Sequence, residues 1–176
     1  MKGAKSIPND LLLIQTHVFD VCDFKYTQPI IEPESAEYNA CQFELNNLLV
    51  RFRVSKITPT KVGQFVTLWK RNSKGPIQPF DSTDSLDLVI ISSRNENHFG
   101  QFIFPKSVLC EQGIISHNGK EGKRAIRVYP PWDNAINKQA QRAQKWQLNY
   151  FINTSKINGI DRERALLLYG SAIKRK

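Results

Sequence analysis

CQFELNNLLVRFRVSK, residues 41–56, is the stretch on which the fold turns. Apolar and polar side chains alternate through CQFEL (41–45) and again through LLVRFRVSK (48–56), the period of a half-buried strand. Between them stand Asn46 and Asn47, whose short polar side chains tolerate positive φ and suit a two-residue hairpin turn. The register this sets pairs Leu45 with Leu48, Phe43 with Val50 and Cys41 with Phe52 on one face. Gln42, Glu44, Arg51 and Arg53 are left on the opposite face. Slipping the pairing by one residue would turn every apolar side chain outward, so the hairpin is specified by its own pattern.

Further along the chain, QFVTLW (64–69) follows the turn-forming Pro59 and Gly63 and reads as a third strand. LDLVII (86–91) is almost continuously apolar, the pattern of a central strand covered on both faces. Asn95 to His98 form a turn, and GQFIF (100–104) returns as a strand. Pro105 then opens a short helix, PKSVLCEQ, which Gly113 can end. HNGKEGKR (117–124) is a polar turn into strand RAIRVY (124–129). The last elements are helices over 137–151 and 161–170, the second capped by Asp161. Before the hairpin, Asn9 or Asp10 caps a first helix carrying Leu11, Ile14 and Val18 and ending near Phe19, and 20–39 is a loop. Strands therefore fill the middle, with helices at both ends and one short crossover helix between the last strands. That order predicts an α/β fold of the α+β kind, a mixed β-sheet flanked by helices.

With 176 residues, 40% of them hydrophobic, the chain suits one domain over 1–176, with a helix and loop over 1–39. No repeat or low-complexity tract interrupts it. No apolar run reaches the roughly 18–20 residues of a membrane span. The opening MKGAKSIPND lacks the apolar core of a signal peptide, which makes a cytoplasmic location the expectation. Cys22, Cys41 and Cys110 are odd in number and widely spaced, the pattern of reduced, mostly buried thiols and not of a disulfide framework or zinc site. His17, His98 and His117 show no metal-ligand spacing, and NGKEGK lacks both the glycine spacing and the following helix of a phosphate loop.

Charge is the feature that points to a partner. The formal net charge is +9, and it is unevenly placed: residues 1–44 are net acidic and residues 120–176 net basic. Between Glu44 and Asp81 there is no acid, while Arg51, Arg53, Lys56, Lys61, Lys70, Arg71 and Lys74 fall in that window. Positive charge without local carboxylates suits an anionic polymer. Lys56, Thr58, Lys61 and Gln64 put donors on one turn-and-strand segment. Lys138, Arg142 and Lys145, at i, i+4 and i+7, share one face of a helix that also carries Gln139, Gln141 and Gln144. Arg127 precedes the YPPW turn and completes the set of candidate nucleic-acid contacts.

KITPTKVGQFVTLW (56–69), LDLVII, GQFIFPK (100–106), RVYPPWD (127–133) and QKWQLNYF (144–151) resemble, in that order, the blocks of the MepB family of small bacterial proteins. The resemblance covers a core of about 40–155 and implies a fold similar to the PD-(D/E)XK endonucleases. Those enzymes need an Asp on one strand and an acidic-x-Lys triplet on the next to hold a divalent metal and activate water. Asp87 stands on the central strand, but Gln101 occupies the acidic position and Ile103 the lysine position, with Lys106 too far along. Glu44 is a further carboxylate from the hairpin. The expectation is thus a DNA- or RNA-binding protein with a nuclease-like fold and an incomplete catalytic set, without cofactor or metal. A nuclease using Asp87, Glu44 and Gln101 with Mg²⁺ or Mn²⁺ is the alternative, and an adaptor docking an acidic protein a further one.

Overall fold

The hairpin of residues 41–56 is present in the register its pattern predicts. Cys41 faces Phe52, Phe43 faces Val50 and Leu45 faces Leu48. Asn46 and Asn47 turn the chain with φ of 48° and 64°. The structure, a computed structural model, describes residues 6–155 and 161–174.

Its elements are α1 (Asn9–Ile14), continued by a π-helical turn Gln15–Phe19, then β1 (Ile30–Ile31), β2 (Cys41–Leu45), β3 (Leu48–Val54), β4 (Lys56–Ile57), β5 (Gln64–Thr67), β6 (Trp69–Arg71) and β7 (Ile77–Pro79). There follow β8 (Leu88–Arg94), β9 (Phe99–Pro105), α2 (Lys106–Glu111), β10 (Ala125–Val128), α3 (Lys138–Gln147), β11 (Phe151–Asn153) and α4 (Arg162–Lys174). One six-stranded sheet has the order β1-β2-β3-β8-β9-β11, a three-stranded sheet has β10-β5-β4, and β6 pairs with β7. Only β3 and β8 run parallel in the large sheet, so it is mixed, as anticipated.

Three layers bury the apolar sets. On one face of the large sheet, Phe43, Val50, Phe52, Ile90 and Ile103 meet Leu11, Ile14, Val18 and Phe19 from the first helix and Leu168 and Tyr169 from α4. On the other face, Val89, Ile91, Phe102 and Phe104 meet Val66, Leu68, Ile126 and Val128 around the small sheet. β8 is thus covered on both sides, which is why its sequence does not alternate.

Several expectations change. The strand read through Lys56 stops at Val54, because Ser55 turns the chain from the large sheet into the small one. Buried Ser55 donates through Oγ to Gln64 Oε1 at 2.7 Å and lies 2.7 Å from Ser93 Oγ, which anchors that corner. QFVTLW divides between β5 and β6. The parallel β3–β8 pair is joined through β4 to β7, and α2 links β9 to β10 in different sheets, so α2 is not the crossover. The helix expected over 137–151 ends at Gln147, runs through a 3₁₀ turn at Leu148–Tyr150, and gives way to edge strand β11. Neither Asn9 nor Asp10 caps α1; Pro8 precedes the helix, and Asp10 instead accepts from Ser92 Oγ at 2.6 Å and pairs with Arg94. Asp161 does cap the final helix, accepting from Arg164 N at 3.0 Å. The loop over 20–39 contains β1 and a 3₁₀ turn, Ala36–Tyr38.

The polar face of the hairpin is not a solvent face. Arg53 is 1% exposed and Arg51 23%, and both pair with Glu32 beside β1. Lys70 pairs with Asp84, and Arg71 with Glu34. The acid-free window therefore receives carboxylates from segments distant in sequence, and four of its seven cations are neutralised within the fold. No helix among the described residues is long and apolar enough to cross a membrane.

Candidate nucleic-acid interface

β5 and β10 pair antiparallel, with Phe65 opposite Arg127 and Val66 opposite Ile126. Strand alternation sends Val66 and Val128 into the core and leaves Phe65, Ala125, Arg127 and Tyr129 on the other face. The Arg127 guanidinium lies 5.7 Å from the Phe65 ring centroid and donates through Nη1 to Gly63 O at 3.2 Å. Gly63 has φ of 84°, and a Cβ there would stand 2.6 Å from Tyr129 Cε1. The turn before β5 is thus pressed against the face of β10, and only glycine meets both conditions.

α3 closes the other side. Its Asn137 cap accepts from Ala140 N at 2.9 Å. Buried Gln147 accepts from Tyr129 N at 2.8 Å and donates to Arg127 O at 2.9 Å, completing the exposed edge of β10 as a neighbouring strand would. Gln144 donates to Pro130 O and Asp133 O, and Gln141 to Ala135 O, so these two glutamines of the helix hold the 130–137 loop.

Between these walls lies a cleft of about 760 Å³. Thr60, Lys61 and Val62 line it from the turn, Phe65 from β5, Lys123, Ile126, Arg127 and Tyr129 from β10 and its approach, and Ile136, Gln139, Arg142 and Trp146 from α3 and the segment before it. No Asp or Glu is among the described residues that line it. The two basic segments separated by some seventy positions in sequence meet here, with β10 between them.

Residues 32–153 match the MepB-like family. The chain belongs to that family. The crystal structure of MepB shares 34% identity with this MepB-like chain and superposes with a TM-score of 0.73, covering 85% of this chain and 99% of that one. A bacterial homing endonuclease is similar with a TM-score of 0.48 and 13% identity, over 95% of this chain and 93% of that one. No protein with a curated description matches the chain.

Of the candidate contacts in this MepB-like chain, Lys61, Arg127 and Arg142 enter the cleft. Lys56 is exposed on β4 with Nζ 4.7 Å from the Tyr38 ring, outside the cleft. Thr58 is half-buried and reaches back toward Lys61 O at 3.5 Å, shaping the turn. Gln64 is 1% exposed; its amide accepts from Ser55 and donates to Arg94 O, so it supports the corner of the two sheets and offers nothing to a ligand. Lys138 and Lys145 are exposed on α3 and are not among the residues that line the cleft. Lys123, which the sequence places on a polar turn as a solvated lysine, also lines the cleft, because only the fold shows the path of that turn.

The three nuclease candidates do not meet. Asp87 Oδ2 accepts from Leu49 N at 2.9 Å and Asp87 N donates to Leu49 O at 2.8 Å, tying the start of β8 to β3. Glu44 faces Leu49 from the far side of β3, about two strand spacings or 9–10 Å from Asp87. Gln101 faces Ser92 at the opposite end of β8, about 16 Å along the strand, fully buried with its Oε1 accepting from Tyr169 Oη at 3.1 Å. Lys106 is held by Ser82 O and Asp84 O at 3.0 and 3.1 Å. Among the described residues no group of three or more His, Cys, Asp or Glu could hold a metal ion. The residues present do not fit the divalent-metal set of a PD-(D/E)XK nuclease.

Proposed function

We propose that this protein binds nucleic acid through the cleft between the turn before β5, strand β10 and α3, without cofactor, metal or strand cleavage. The observation that carries the reading is the convergence of Lys61, Lys123, Arg127 and Arg142 on one cleft lined by no carboxylate among the described residues. Four cations of the acid-free window, Arg51, Arg53, Lys70 and Arg71, are paired with carboxylates, whereas the cations of the cleft meet no carboxylate among the described residues that line it. Cations kept clear of acids, beside ring faces, are what a phosphate chain with bases requires. The PD-(D/E)XK resemblance implied by the sequence blocks points to the same class of partner, while the scattering of Asp87, Glu44 and Gln101 supports binding over cleavage.

Fluorescence anisotropy with labelled oligonucleotides, titrated with salt in the presence of Mg²⁺ or Mn²⁺, tests this, with the probes run on a gel afterwards. Salt-dependent binding to intact probes is expected. Reversing two rim charges together, Lys61→Glu with Arg142→Glu, lowers affinity at least about tenfold and flattens the slope of log K against log salt by about 1.4 for a single strand. Absence of binding at low salt overturns the reading and leaves an acidic protein as the partner to test. Shortened probes would restore the nuclease.

A further inference from the structure

Resting on that reading of the cleft, we infer that its substrate class is unpaired nucleic acid: bases lie on its apolar surface and phosphates on its cationic rim, and duplex is not the preferred form. Four cations account for phosphate, but they leave most of the lining unexplained. Ile136 is 75% exposed and Val62 37%, and both line the cleft from opposite walls. Phe65 and Trp146, each half-buried, continue the apolar surface between them. Neither wall residue gains anything from a phosphate, which stays hydrated beside an alkyl group. Both gain when a flat apolar face covers them.

A duplex cannot supply that face. Its bases are stacked on one another inside the helix, and it presents phosphates on a convex surface. Such a surface could reach Lys61 and Arg142 at the rim, yet it would leave Ile136, Val62 and the rings in water. An unpaired strand offers the π-face of every base and bends into a recess. The cleft volume of about 760 Å³ lies in the range of sites that enclose small ligands, room for a few nucleotides and not for a double helix. Arg127 adds a prepared platform, since its guanidinium is already held over Phe65 at 5.7 Å and tied to Gly63 O, so a base stacking there immobilises no free side chain. Lys61 and Arg142 stand on separate elements, the turn and α3, so phosphates on both sides of a bound base find a cation.

Three labelled probes of twelve nucleotides separate the terms: a single strand of thymidine or of uridine, a duplex, and a single strand of abasic sites with the same number of phosphates. Measured by anisotropy at one low salt concentration, the base-bearing strand is expected to bind at least about tenfold more tightly than both others. Ile136→Ser, at a residue too exposed to matter for folding, should draw the ratio of single strand to abasic strand towards one. Equal affinity for all three probes overturns the inference while leaving a phosphate-binding cleft in place. A preference that survives unchanged in Ile136→Ser also overturns it, because the bases would then lie elsewhere. Loss of all binding overturns the reading of the cleft itself, so the two failures are told apart.

Discussion

Arg53 lies on β3 with 1% of its side chain exposed, and the carboxylate of Glu32 meets it at 2.5 Å while also holding Arg51. A guanidinium buried to that degree persists only because an anion meets it; Nη1 also donates to Phe52 O at 2.9 Å, while the buried Nε has no hydrogen-bond partner among the described residues. Glu32→Gln removes the anion from two cations at once, and we expect it to lower the unfolding free energy by about 3 kcal/mol, read from urea denaturation at an unchanged m-value. A loss below about 1 kcal/mol would mean that water reaches Arg53 and that the pair is not what holds β1 to the sheet. Strand alternation correctly put Arg51 and Arg53 on the polar face of the hairpin. It could not show that a segment twenty residues earlier lies over that face. Gln64 is the same case in reverse: its type suggested a ligand contact, and its position at the junction of two sheets makes it a structural hydrogen-bonding group.

At the level of elements, the cleft depends on how three short pieces are joined. The turn before β5 rests on Tyr129 through Gly63, β10 holds Arg127 over Phe65, and α3 is clamped to β10 by Gln147. Gly63→Ala asks a residue with a side chain to take φ of 84° and places a Cβ 2.6 Å from the Tyr129 ring. We expect a loss of about 1–2 kcal/mol in stability, with oligonucleotide affinity falling further than that loss explains, because Lys61 moves with the turn. Wild-type affinity in a folded Gly63→Ala protein would show that the turn is not part of the site. α3 shows how far helical periodicity goes by itself. It correctly grouped Lys138, Arg142 and Lys145 on one side, but the neighbour is met by a stripe turned away from that side, and only Arg142 reaches the rim.

Across the whole molecule, burial between the helical layer and the large sheet sets the response to pH. Burial pushes the Cys41 thiol from its ordinary value near 9 up to about 12, and raises Cys22 and Tyr169 as well. For each of these groups the folded state favours the neutral form more than the unfolded state does. Their stabilisation is therefore complete below the unfolded pKa and is lost as pH rises; for Cys41 the window is about 9 to about 12. Unfolding free energy from chemical denaturation should be level near neutral pH and decline above about 9, more gently in Cys41→Ala, which starts less stable for want of a buried sulfur. An alkaline limb equally steep in that variant would assign the loss to other groups. Of the three cysteines Cys22 and Cys41 are buried and Cys110 is half-buried, as expected of mostly buried thiols.

The local pattern by itself determined the hairpin and its register, the doubly covered strand β8, the mixed α/β class and the family, because each rests on neighbours in sequence: alternation, turn chemistry, apolar runs and ordered blocks. Which charges remain available was decided only by tertiary structure. Glu32, Glu34 and Asp84 pair with cations that look unopposed along the chain, while Lys61, Lys123, Arg127 and Arg142 converge on one cleft from separate elements. A side chain's type is local, but the field around it is a sum over space, and contacts between residues tens of positions apart leave no periodic trace in the sequence.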